Sequence, residues 1–276
     1  MANITAAEVN KLRKATGAGM MDCKRALVEA EGDFEKSIDI LRKKGQKVAS
    51  KRADKDANEG MVMAKATDDN KYAALFMLNC ETDFVAKNDD FVAFTNKLMA
   101  LAIENRPTGL DAFKALDVDG RNVAEHITEM VGKTGERMDL AHFEFVEAEQ
   151  VAAYNHQGNR LATILGFNKS GIDSEVGRQI AMQIAAMNPV AIDKDNVSQE
   201  VIDKEIEIGK DQAREEGKAE DLLEKIAMGK LNKFFKENTL LNQAFVRDSK
   251  ITVKQYLSQT DKDLKITSFK RLMLGA

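Results

Sequence analysis

The chain has 276 residues, 43% hydrophobic and 31% charged, enough for one sizeable core or several small ones. Its 41 basic and 45 acidic residues leave a formal net charge of −4, which offers no overall field for gripping a polyanion, so nucleic acid is not an expected partner. Cys23 and Cys80 lack the paired spacings of a zinc site, and there is neither an apolar leader after the start nor a run of eighteen apolar residues; a cytoplasmic protein with reduced thiols and no membrane partner is expected.

Residues 1–45 read as three short helices. Thr5-Ala6-Ala7-Glu8 has capping-box spacing, and Val9 and Leu12 follow on one side. Thr16-Gly17-Ala18-Gly19 breaks this first helix; a second, over 21–30, buries Ala26 and Leu27. Glu31-Gly32-Asp33 stops it and caps a third, in which Phe34, Ile38 and Leu41 recur at helical spacing. Over 42–58 the chain carries seven basic and two acidic residues, and Val48 is the main apolar exception. That composition predicts a solvated helix end and a linker over 46–58.

The periodicity then changes. Strands are expected over 61–64 and 72–78, joined across Asp68-Asp69-Asn70, the second apolar enough to be covered on both faces. A loop at Asp83-Phe84 follows. Asn88 can cap a helix with Phe91, Thr95, Leu98 and Ala102 on its buried stripe, and another helix falls over 123–131 with Ile127 and Met130. Further strands are expected over 140–146, 151–154 and 161–167, the last two linked by the polar turn from Asn155 to Arg160. Val176, Ile180, Ile184 and Met187 mark a helix ended by Asn188-Pro189, and the final strands fall over 244–246 and 264–274. Strand pairs and helices alternate twice, which predicts an α+β core in two related halves, 59–150 and 151–188 with 238–276.

The insertion at 189–237 has a different pattern. Val201, Ile202, Ile206, Gly209 and Ala213 fall at helical spacings, Glu215-Glu216-Gly217 turns, and Leu223, Ala227, Leu231 and Phe234 repeat them. An antiparallel helical hairpin is expected, its apolar stripe covered by its own chain or by a second copy.

No phosphate-cradling Gly-x-x-x-x-Gly-Lys-Ser/Thr loop and no Gly-x-Gly-x-x-Gly motif occurs, and His126, His142 and His156 lie at no metal-ligand spacing. No cofactor and no catalytic residue are expected. Exposed apolar residues in short loops remain, and these mark protein contacts. Asp83-Phe84 fits a turn acceptor with a ring stapling the next helix, or a ring that enters a partner. Met20-Met21 fits a core plug or an adaptable contact surface with Arg13 nearby. His156 reads as an accessible turn residue.

Leu12-Arg13 with Thr16-Gly17-Ala18-Gly19-Met20-Met21-Asp22-Cys23-Lys24, then Asn79-Cys80-Glu81-Thr82-Asp83-Phe84-Val85-Ala86, then Tyr154-x-His156-x-Gly158 resemble bacterial translation elongation factor Ts, in the right order along the whole chain. The resemblance implies a guanine-nucleotide exchange factor that binds elongation factor Tu·GDP and promotes GDP release during elongation. It also implies a ubiquitin-associated-like N-terminal domain, a two-part α+β core with antiparallel sheets and no bound nucleotide or other cofactor. Carried over, Thr82, Asp83, Phe84 and Val85 bind elongation factor Tu, Asp83 and Phe84 disturbing its magnesium and phosphate site. Arg13, Met20 and Met21 hold the partner from another side, and His156 touches it away from the nucleotide. The hairpin at 189–237 would mediate a homodimer. Asn159 and Ala162 stand where the family often has glycine, and Ala276 directly follows the last strand, without the further C-terminal helix of long members. The alternative from another class is a non-catalytic adaptor or holdase.

Overall fold

Capping chemistry determines where the chain first turns helical. In the computed structural model, which describes residues 4–275, α1 (Ala6–Thr16) opens on the predicted box: Thr5 Oγ1 accepts from Glu8 N, and the Glu8 carboxylate accepts from Thr5 N at 2.7 Å. Residues 1–3 and 276 lie outside the described part. Gly17 closes α1 with φ 67°, in the left-handed region that a side chain resists. With α2 (Met20–Glu29) and α3 (Phe34–Arg52, capped by Asp33), α1 buries Val9, Leu12, Cys23, Ala26 and Leu27.

β1 (Glu59–Ala66) and β2 (Tyr72–Cys80) form the expected hairpin, with Glu59 opposite Cys80 and Ala66 opposite Ala73. Next come α4 (Asp83–Ala86), α5 (Asp89–Asn105), α6 (Leu110–Lys114), a small ribbon of β3 (Asp117–Val118) and β4 (Arg121–Asn122), and α7 (Val123–Thr134). β5 (Met138–Glu147) then pairs antiparallel with the free edge of β2. Asn88 caps α5, and Phe91, Thr95, Leu98 and Ala102 lie on its buried side as the spacing requires. On β2, Tyr72, Ala74, Phe76, Leu78 and Cys80 face α5 and α7, while Ala73, Leu75 and Met77 face the other way.

The second half contains β6 (Gln150–Asn155), β7 (Leu161–Phe167) and α8 (Ser174–Met187), then the hairpin of α9 (Gln199–Glu215) and α10 (Glu220–Asn238). β8 (Ala244–Phe245), β9 (Asp248–Thr252), α11 (Val253–Thr260) and β10 (Ile266–Met273) complete it. Its sheet runs β10-β7-β6, antiparallel throughout. Ala73, Leu75 and Met77 of β2 meet Val151, Ala162 and Ile164 across the seam, so the two sheets pack face to face. Leu165 and Phe167 point outward to Ile180, Ile184, Val253 and Leu257. The result is an α+β sandwich in the order helix, sheet, sheet, helix. Within the hairpin, Gly209 and Ala213 are buried with Leu223, Ala227 and Leu231, so the stripe is largely filled by the hairpin itself. Among the described residues no helix is long and apolar enough to cross a membrane.

The structure departs from the sequence expectations in three places. The third helix runs through 46–52, where composition assigns linker, because that stretch packs on the core: Gly45 meets α7, and Val48 and Ala49 rest on the first half. The Asp83-Phe84 segment is a turn of helix rather than a loop. α6, β3, β4, β9 and α11 are additional elements, too short to display a period; α6 inserts Phe113 between Phe76 and Phe143, with ring centroids 5.6 and 4.8 Å apart.

α3 and α7 touch backbone to backbone, since a Cβ on Gly132 would stand 2.8 Å from Gly45 Cα. Replacing a helix-interior glycine by alanine ordinarily gains about 1 kcal/mol. Here Gly132→Ala is expected to cost roughly 1–3 kcal/mol through overpacking, read as a lower urea midpoint at unchanged slope; a raised midpoint would contradict the contact.

Candidate functional site

A single turn of helix does not persist alone in water, so α4 exists because its surroundings hold it. Thr82 caps it: its hydroxyl accepts from Val85 N at 3.4 Å, and its carbonyl accepts from Ala86 N at 3.2 Å. Val85 and Ala86 turn inward and pack on the first core. Helical geometry then sends the intervening side of the turn outward, and Phe84 is 83% exposed, the most exposed large hydrophobic side chain among the described residues. A staple would bury this ring against α5; Phe84 packs on no core cluster. Beside it, Lys87 Nζ donates to Asp83 Oδ2 at 2.6 Å and holds the Asp83 carboxyl below the usual carboxylate range.

Behind the turn, Thr82 is gripped a second time. Its N–H and hydroxyl donate to the two carboxylate oxygens of Glu136, at 3.0 and 2.7 Å. The Cys80 thiol donates to the Thr82 carbonyl at 3.2 Å. Burial, reinforced by the nearby Glu136 charge, pushes that thiol up to about 12.

Met20 and Met21 open α2 after Gly19 and are 59% and 63% exposed, so neither plugs the three-helix core. Arg13 lies exposed in the last turn of α1, across the Gly17–Gly19 turn from them, and its carbonyl accepts from Gly17 N at 2.7 Å. Asp22, one residue beyond the pair, is held by Lys44 and Arg25, which keep its carboxyl below the ordinary range. These residues share a helical unit distinct from α4. α3 links the two places: Arg52, its last residue, reaches Glu81 at 3.0 Å.

His156 is exposed on the β6–β7 turn, with Nδ1 2.9 Å from the Tyr154 hydroxyl. Gly158 and Asn159 both take positive φ, 86° and 53°. Asparagine tolerates that region, so the turn closes without glycine at 159. The turn is sewn to β1: Asn159 O accepts from Val62 N at 2.7 Å, and the Asn155 carboxamide pairs with both backbone groups of Ala64 at 2.7 and 2.8 Å. Arg160 adds an ion pair with Glu59. Gly158, Asn159 and Arg160 therefore line one cleft with Asp83 and Lys87, which brings the histidine turn and α4 to a shared surface while the methionine pair stays apart.

Sequence reasoning missed Arg52 and Glu136, and it assigned no contact to Tyr154 or Asn155, which it had only as parts of a motif and a turn. The Tyr154–His156 pairing was within reach, since positions i and i+2 of a strand share a face. Glu136 has no local signal, because its partner lies 54 residues away.

A family model described as elongation factor TS matches residues 81–276. The chain is 51% identical over 277 residues to a protein named elongation factor Ts from Christiangramia forsetii, covering 100% of both chains. It is 50% identical over 275 residues to the protein of that name from Amoebophilus asiaticus, with 99% of each covered, and 50% identical over 278 residues to the one from Cytophaga hutchinsonii, with 100% of each covered.

A thiol near 12 is protonated throughout the neutral range and is a poor nucleophile. Cys80 is expected to resist iodoacetamide at pH 8 in the native protein and to react promptly in denaturant; peptide mapping of the alkylated protein checks this, and rapid native labelling would contradict the assigned burial.

Proposed function

The chain belongs to the elongation factor Ts family, and from that premise we propose that it is a cytoplasmic guanine-nucleotide exchange factor, which binds elongation factor Tu·GDP and speeds GDP release in the elongation phase of protein synthesis. It makes and breaks no covalent bond. The observation that carries this reading is Phe84, 83% exposed on a held turn beside Asp83. A phenyl ring that is wet in the free protein and dry in the complex contributes about 1.5–3 kcal/mol on docking. Spent against the partner's magnesium and phosphate site, that energy loosens the nucleotide. Thr82 and Val85 hold the turn at the contact, Arg13, Met20 and Met21 dock a second area, and His156 meets the partner away from the nucleotide.

Exchange is reciprocal: whatever ratio the factor imposes on GDP affinity, GDP imposes on the factor. The ternary complex is therefore a transient, and rebinding of nucleotide releases the factor. Self-association through the hairpin at 189–237 is also part of the reading; Ile208, Leu222 and Met228 are left exposed on it and could be covered by a second copy.

Phe84→Ala is expected to slow release of labelled GDP from elongation factor Tu in stopped flow by more than it weakens binding to the nucleotide-free partner, because the Arg13 and methionine contacts remain. Equal losses in rate and affinity would sink the wedge assignment, and undiminished docking without any acceleration by the native protein would identify an adaptor. Light scattering on the free protein should give a dimer that becomes monomeric when 189–237 is deleted; a monomeric full chain rules out self-association.

A further inference from the structure

Two neighbouring pairs of residues on distant segments exchange carboxylates behind the exposed ring. Glu81, at the end of β2, accepts the backbone N–H of Arg137 at 2.6 Å through Oε1. Glu136, on the α7–β5 connection, accepts the backbone N–H of Thr82 at 3.0 Å through Oε2 and the Thr82 hydroxyl at 2.7 Å through Oε1. The clasp is reciprocal, each segment satisfying the other's backbone.

A carboxylate at 136 matches what Thr82 offers. Thr82 presents two donors, N–H and O–H, and two acceptor oxygens on one side chain receive both. Committing the hydroxyl hydrogen to Glu136 leaves the oxygen's lone pairs for Val85 N, the bond that caps α4. Glu136 therefore fixes the Thr82 hydroxyl that caps α4, one residue before Asp83 and two before Phe84.

Glu136 is itself well placed to serve as an anchor. It follows Gly135, which ends α7 with φ 76° and donates to Val131 O, and its own N–H donates to the Thr134 hydroxyl at 3.3 Å. α7 is also the helix that α3 meets at Gly45 and Gly132, and Arg52 of α3 closes on Glu81 at 3.0 Å. One frame thus carries both the helical unit with Met20 and Met21 and the turn with Phe84.

We propose that Glu136 is a positioning residue for nucleotide exchange: it acts through Thr82 to hold α4 at the angle from which Phe84 enters the partner. The inference rests on the reading of Phe84 as the wedge. Glu136→Gln keeps the size of the side chain, loses one acceptor and turns an amide donor towards a donor.

The test is a double-mutant cycle on GDP release from elongation factor Tu at saturating factor, with Glu136→Gln, Phe84→Ala and both together, each read well below its own melting midpoint. Glu136→Gln is expected to slow release about tenfold and to have no further effect once Phe84 is alanine, because its effect passes through the ring. A structural defect elsewhere would instead multiply with the loss from Phe84→Ala, and that outcome overturns the proposal. Wild-type release by Glu136→Gln, alongside a slow Phe84→Ala, overturns it too and leaves the wedge standing. Wild-type release by Phe84→Ala removes the wedge and the inference together.

Discussion

β2 is buried along all nine of its residues, and the rest of the molecule is arranged to make that possible. A strand with two dry faces needs hydrogen-bond partners on both edges and apolar cover on both sides. β1 and β5 supply the edges, α5 and α7 cover one face, and the second sheet covers the other. Such a strand cannot slip by one residue without turning Tyr72 and Phe76 into the wrong core. α4 begins just beyond its end, so the exposed aromatic is anchored beside a strand that is buried along its whole length. The wedge role proposed for Phe84 calls for that backing.

The three-helix unit reaches the same frame by a different route. α3 carries Asp33 at one end, in the small core's neighbourhood, and Arg52 at the other, against Glu81. Between them the glycine contact with α7 lets two helices approach more closely than side chains would allow. A stretch whose composition suggests a tether is thereby the strut of the molecule. Its lysines face solvent because the opposite side is occupied by Gly45, Val48 and Ala49.

Features that depend on neighbours in sequence were legible. The Thr5–Glu8 box, the Asn88 cap, the α5 stripe and the two-sided character of β2 each follow from spacing alone, and the structure has them in place. Features that depend on distant partners were not. Gly45 looks like a helix breaker until Gly132 is beside it, and Glu136 is an ordinary acid until Thr82 is. α11 had a readable signal, the Thr252–Gln255 capping box, but only eight residues in which to show a stripe. At Phe84 the local pattern admitted both a staple and a wedge; burial of its neighbours Val85 and Ala86 is what leaves the ring outside. The roles of Arg13, Met20, Met21 and His156 entered through resemblance, since nothing in their spacing distinguishes a docking group from an ordinary surface residue.

The exposed ring also bears on solubility. Phe84 has Asp83 before it, Lys87 after it, and Asp89 and Asp90 at the start of the next helix. A greasy patch would invite any other hydrophobic surface; a lone aromatic with charged neighbours along the chain makes a casual encounter strip water from those charges without compensation. Only a surface offering both a slot for the ring and partners for its charged neighbours escapes that penalty. The same charges that keep the free protein dispersed thus act as a filter on what it can bind.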